Sequence, residues 1–236
     1  MTPDLEKLLD LQDKDIALLQ VDQALDEVLQ EEEALDEAVR QAEAAVGVAQ
    51  RGVAEAVRRR IEVEGRVETY RKLQEGRRKR VEVSRPGKET AQLMAELDLA
   101  RQVLAREESD WFRASEAVQA QEARVAEAEA AVEALKAAQG DPRESIAARK
   151  AELDADRAVK LAARDASAAT VDKALRSRYE RLRGSRAAVA VVALSGDACG
   201  ACYTAVPMNR RAQMRMSGVV DGCEGCGVML YYVDNA

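Results

Sequence analysis

The chain has 236 residues, of which 33% are charged and only 3% aromatic, and its formal net charge is −7. Its hydrophobic share of 47% is in large part alanine, a profile of long helices and coiled coil rather than of a thick globular core. Such an acidic chain is a poor general binder of nucleic acid unless a local basic patch provides the contact, and no apolar run approaches the ~20 residues a bilayer span needs.

The first helix opens at Thr2-Pro3-Asp4, where Thr2 can cap, Pro3 suits the first turn, and Asp4 and Glu6 suit the positive end. No proline follows until Pro86. With Leu18, Leu25, Glu32, Val39, Val46, Val53, Arg60 and Val67 at heptad position a, position d holds Val21, Val28, Leu35, Ala42, Ala49, Ala56, Val63 and Tyr70. Only Glu32 and Arg60 interrupt that apolar seam, which predicts coiled coil. The alanines from Ala42 to Ala56 imply close helix approach. A helix over residues 4–79 would be about 110 Å long and needs a partner helix to cover its stripe.

Pro86-Gly87 ends this helix, with the tip at about 80–88, and helical pattern resumes at Glu89. Leu93, Leu97, Leu104, Trp111, Val118, Val125, Val132 and Leu135 form a second seam. So short a loop between two long amphipathic helices predicts antiparallel neighbours. Trp111 and Phe112, adjacent on the second arm, point about 100° apart, one into the seam and one outside it. They read either as a wide spot in the seam or as a docking point for a partner.

Gly140-Asp141-Pro142 reads as a kink or short break at 140–142, with Asp141 capping a restarted helix that runs to about Ala168. A further helix from Val171 to Arg183 ends on Gly184 as its C-cap. The pattern then becomes strand-like, with candidates at Ala187–Leu194, Val219-Val220 and Val228–Val233.

The cysteines lie in two Cys-x-x-Cys pairs, Cys199/Cys202 and Cys223/Cys226, and the chain has no others and no histidine. Each pair supplies half of a tetrahedral shell, and two pairs separated by a short antiparallel ribbon complete it. All four ligands come from protein, so the site is closed and structural, with no open position for water or substrate. Zn²⁺ fits this pattern; an iron centre uses the same ligands and is not separated from it by spacing. Two disulfides would need an oxidising compartment, and no secretory signal is read at the N-terminus. A thioredoxin-type motif uses one such pair, opening a helix.

On these residues the chain resembles the bacterial zinc-ribbon proteins that carry a coiled-coil hairpin. Ala198–Pro207 is similar to that family's first knuckle and Cys223–Tyr232 to its second knuckle and final strand. Tyr179–Arg183 with the following strand, and Lys88–Leu93 after the tip, are similar to its junction and loop-exit segments. Met208-Asn209 departs from the family's more usual Pro-Gln. The resemblance implies an adaptor rather than an enzyme, with protein partners among transcription or secretion components and, in some members, nucleic acid.

The expectation is therefore a mainly α protein, a long antiparallel coiled-coil hairpin over 1–184 with a four-cysteine zinc ribbon over 185–236, cytoplasmic and without a membrane segment. Ribbon and tip would stand roughly 100 Å apart, and the hairpin would close as a monomer or a coiled-coil dimer. Residues 71–88 carry net +6 whereas residues 1–40 carry −10. Arg77, Arg78, Lys79, Arg80, Arg85 and Lys88 at the tip, and Arg210, Arg211 and Arg215 in the ribbon, are candidate contacts for nucleic acid or an acidic partner. The alternative is a solvated charged surface, since no aromatic interleaves with the tip charges. A second basic stretch, Lys173 to Arg186, lies beside the ribbon. The absence of histidine, a glycine-rich phosphate loop and a nucleophile motif argues against catalysis. A redox or zinc-sensing switch is a third class, neither favoured nor excluded.

Overall fold

The structure, a computed structural model, describes residues 2–185, 189–218 and 220–233. The elements run α1 (Pro3–Val83), α2 (Lys88–Ala138), α3 (Gly140–Thr170), α4 (Lys173–Ser185), β1 (Val191–Ser195), β2 (Ala198–Cys199), α5 (Met208–Ser217), β3 (Asp221–Gly222) and β4 (Met229–Tyr231). The fold is thus the mainly α helical hairpin with a small C-terminal sheet that the sequence predicts. No helix among the described residues is long and apolar enough to cross a membrane. The chain divides into two compact units, residues 33–142 and residues 1–32 with 143–236.

In the 33–142 unit α1 and α2 run antiparallel. Glu43 pairs with Lys136 at 2.8 Å late in α2, whereas Arg66 and Arg71, farther along α1, pair with the earlier Glu107 at 3.0 Å and Glu108 at 2.8 Å. Exposed pairs of this kind contribute little, because solvent screens them, so the apolar seam sets the register. Every heptad position named for α1 is buried or half-buried, whereas the off-seam Val48 and Ile61 are exposed. Val63, Val67 and Leu104 form a buried cluster with Tyr70 and Trp111 against it. Phe112 is 66% exposed, its ring edge-on to Trp111. At the tip, Ser84 donates to Val81 O at 2.9 Å and Thr90 to Arg85 O, closing the loop Ser84–Gly87.

The break between the second and third helices is a single residue, Gln139. Its buried amide donates 2.9 Å to Leu35 O on α1. Because α3 already begins at Gly140, Pro142 falls in its first turn, where a missing N–H removes no helical bond.

In the other unit, Leu5, Leu8 and Leu11 of α1 share one core with Ala168, Val171, Tyr179, Ala190, Val191 and Met229. α3 runs antiparallel to α1, with Arg157 on Asp22 at 2.6 Å and Lys150 on Glu32 at 3.2 Å. Asp15 is buried and accepts from Tyr179 Oη at 2.8 Å and Arg164 Nε at 3.1 Å, with Arg183 at 3.3 Å and Glu180 bonded to Arg164. A buried carboxylate with several donors is stable where an unpaired one would not be. Gln12, also from α1, binds the backbone of Ala190 and Val191, fastening the start of β1 to the helices.

Several boundaries differ from the sequence reading. Thr2 stands at the N-cap position of α1, its carbonyl accepting from Glu6 N at 3.1 Å, but its hydroxyl reaches toward Gly218 O at 3.5 Å instead of a first-turn N–H. α4 is capped by Asp172, which accepts from Ala174 N at 2.8 Å, and it continues through Gly184 to Ser185 instead of stopping on that glycine. Ala187 and Ala188 of the first strand candidate, Val219 of the second and Arg186 of the basic stretch lie outside the described residues. The sheet order is β2-β1-β4-β3, with β1 antiparallel to β2 but parallel to β4. The largest departure is α5: a ten-residue helix joins the knuckles where a simple ribbon was expected. Its sequence has no β-branched residue, Pro207 precedes it, and Gly218 caps it at φ 63 with its N–H on Met214 O.

Candidate metal centre

β1 holds the two cysteine knuckles on its two edges. On one edge it pairs with β2, which contains Cys199; on the other with β4, which leaves the second knuckle. The knuckles share one hydrogen-bond pattern. Cys199 N donates to Thr204 O at 2.9 Å and Tyr203 N to Cys199 O at 2.9 Å. Likewise Cys223 N donates to Val228 O at 2.8 Å and Gly227 N to Cys223 O at 2.8 Å.

This repeat brings all four sulfurs within 4.8 Å of one another. Cys199 Sγ lies 3.8 Å from Cys226 Sγ, and Cys202 Sγ 3.5 Å from Cys223 Sγ. A tetrahedral ion with metal–sulfur bonds of about 2.3 Å separates its ligands by about 3.8 Å, so the cluster could hold one metal ion. None of the four is in a disulfide. Cys199 and Cys223 are buried against Val206, Met214, Val228 and Leu230, and Cys202 and Cys226 are half-buried.

The surroundings treat the thiols unequally. The hydroxyl and backbone of Thr204 hold Cys202 down to about 6, while burial pushes Cys226 up to about 12. A divalent cation held there would offset the cost of burying thiolate charge. The turns are sterically tight: a Cβ on Gly200 would meet Ala193 O at 2.5 Å, and one on Gly225 would meet Thr204 Oγ1 at 2.4 Å.

The candidate contact residues separate into groups. Arg210 turns inward, donating to Asp221 at 2.7 Å, to Glu224 at 2.7 Å and to Gly222 O at 2.7 Å, so it braces the second knuckle. Its guanidinium holds the partly buried Asp221 carboxyl below its ordinary range, against the opposing effect of burial. Arg211 is half-buried, and Arg215 sits 5.6 Å above the Tyr232 ring. At the tip, Arg77 donates to Glu96 O at 3.0 Å, Arg78 pairs with Glu82 and Lys79 with Glu75. Arg80, Arg85 and Lys88 are exposed and make no ion pair among the described residues. Gln12 and Thr204 are residues the sequence does not flag. Gln12 acts on a strand far along the chain, whereas Thr204, two residues from a ligand, had a local signal.

No protein-family model matches the chain, and no curated protein matches it. Solved structures do. CT398 from Chlamydia trachomatis superposes with a TM-score of 0.83 at 17% identity, covering 98% of each chain. A protein from Mycobacterium smegmatis gives 0.60 at 23% identity, covering 97% of each. The HP0958 protein from Helicobacter pylori gives 0.58 at 15% identity, covering 99% of this chain and 98% of that one. At these identities the likeness is one of fold.

Proposed function

We propose that Cys199, Cys202, Cys223 and Cys226 hold one structural Zn²⁺, and that the protein is a non-enzymatic cytoplasmic adaptor of the bacterial zinc-ribbon type. It presents the metal-braced sheet and the hairpin tip to protein partners, for which transcription and secretion components are the classes the family resemblance suggests. The observation that carries the reading is the sulfur cluster, whose separations suit a tetrahedral ion with four protein ligands. Zinc supplies only cross-linking there, since a full protein shell leaves no site for water or substrate. The lack of histidine in the sequence supports the non-enzymatic part.

The exposed, unpaired Arg80, Arg85 and Lys88 favour one second reading, a regulator that binds nucleic acid through the tip. Three phosphate contacts would make duplex affinity fall about 40-fold between 50 and 200 mM salt. The two readings separate in a purification of the tagged full-length chain at physiological salt with and without nuclease. The adaptor reading expects one defined protein partner retained after nuclease. Recovery of nucleic acid alone, bound with that steep salt dependence and lost on reversing the three tip charges, would replace it.

A further inference from the structure

Where α1 packs against α3, a groove of about 410 Å³ opens between them, with room for several side chains. Each helix lines it with residues at i, i+3, i+4 and i+7, so each turns one stripe toward it. Ala24 and Val28 of α1 and Leu153 of α3 form an apolar floor, while Glu27, Glu31, Glu152 and Asp156 are the acids of its rim. The cations of this rim are committed, Arg149 to Glu31 and Lys160 to Asp156. Glu27 and Glu152 are exposed and make no ion pair among the described residues. The imbalance extends along the arm: residues 1–32 hold ten acidic and two basic side chains and residues 143–170 five and six, for a net −7.

The hairpin tip has the opposite pattern. Val83, the last residue of α1, is 83% exposed, and Arg80 precedes it at i−3, a neighbouring position on the helix surface. Arg85 lies in the short loop and Lys88 at its exit, and Thr90 closes that loop onto Arg85 O. Arg80, Arg85 and Lys88 are the tip's uncommitted cations. Of the acids nearby, Glu82 is paired with Arg78, and Glu89 sits in the first turn of α2, where the helix end favours negative charge. An exposed valine gains nothing from a phosphate backbone but matches an apolar floor. Val28 and Val83 belong to one continuous helix, α1, so the tip that enters a groove comes from another molecule.

We propose that the hairpin tip of one copy docks in the acidic α1–α3 groove of a second copy, Val83 meeting the floor and Arg80, Arg85 and Lys88 meeting Glu27 and Glu152. The charges orient the encounter and the apolar contact adds to it. Exposed pairs are weak and screened by salt, so the association is weak and salt-dependent. This goes beyond the adaptor reading and does not depend on it.

Sedimentation equilibrium of the nuclease-treated, full-length, zinc-loaded chain tests it. The average mass should rise with concentration, with a Kd on the order of 10–100 μM at about 50 mM salt, and return to the monomer at about 500 mM. The triple variant Arg80→Glu, Arg85→Glu, Lys88→Glu and the double variant Glu27→Lys, Glu152→Lys should each associate at least tenfold more weakly, with helical circular dichroism unchanged. An equimolar mixture of the two should recover association, because each then meets a surface of opposite charge. Val83→Ser should weaken association several-fold, whereas Glu6→Lys with Asp13→Lys, exposed acids outside the groove, should leave it unchanged. The proposal is overturned if the wild-type chain stays monomeric, if nuclease abolishes association, if the mixture fails to recover it, or if the Glu6 and Asp13 variant weakens it equally. A monomeric chain that binds a lysine-rich peptide through Glu27 and Glu152 would assign the groove to a foreign basic segment and overturn it too. Recovery of a protein partner in the tagged purification is a separate readout, so failure here leaves the adaptor reading standing.

Discussion

Replacing Gln12 by leucine preserves most of the side chain's bulk and removes three buried hydrogen bonds. Ala190 N at 2.9 Å and Val191 N at 2.7 Å lose their acceptor, and Val191 O at 2.9 Å loses its donor. Each buried backbone group left unpaired costs about 1–3 kcal/mol. Taking the low end for all three gives about 3 kcal/mol, which at 1.4 kcal/mol per decade is about a 100-fold increase in local opening. Hydrogen exchange at the Ala190 and Val191 amides reads that opening directly. Protection there should fall about 100-fold, while amides of Val67 and Leu104 in the 33–142 unit keep theirs. Gln12→Glu should loosen the strand as well, because a carboxylate can accept from both N–H groups but cannot donate to Val191 O. Since β1 carries both knuckles on its edges, zinc dissociation should accelerate in parallel. Wild-type exchange at Ala190 and Val191 in Gln12→Leu would refute the claim that this side chain anchors β1.

The glycines offer a steric contrast. Gly200→Ala and Gly225→Ala place a Cβ 2.5 Å from Ala193 O and 2.4 Å from Thr204 Oγ1. Each should lower zinc affinity by roughly 10–100-fold in chelator competition, and unchanged affinity would show that the knuckles relax freely. Gly76→Ala meets open space on α1 and should stabilise by about 0.5–1 kcal/mol in denaturant unfolding; a loss would contradict the continuous helix there. Burial, with Asp15 accepting its hydroxyl, holds the Tyr179 phenol well above its ordinary range. The folded chain therefore keeps a proton that the unfolded chain releases near pH 10. This contribution is complete below pH 10 and is lost as pH rises toward the folded value. Tyr179→Phe should flatten the alkaline fall in stability, and parallel curves above pH 10 would contradict the assignment.

What the sequence makes legible is what is local or periodic. The seam from Leu18 to Tyr70 repeats every seven residues, so a single reading frame places its buried positions correctly, Arg60 and Glu32 included as half-buried interruptions. The cysteines are legible because each pair is one turn and both turns are alike. Gln12 and Asp15 are not, since their partners lie 178 and 164 residues away in the case of Ala190 and Tyr179, and nothing near either residue marks it. Arg210 counts as external charge until α5 turns it onto Asp221 and Glu224. The helix itself has signals in Pro207, Gly218 and the intervening helix formers, but the expectation of a ribbon between the knuckles overrides them. The ion pairs of Arg78 with Glu82 and Lys79 with Glu75 are readable as four-residue spacings. They reduce the tip's uncommitted charge to fewer residues than a simple count suggests.

Metal content tests the central claim most directly. Elemental analysis of the reduced full-length protein, purified without added metal, should give one zinc per chain, and Cys202→Ser with Cys226→Ser should lose it while the helical circular dichroism persists. Finding no metal, or iron in place of zinc, in the wild-type chain would contradict the account.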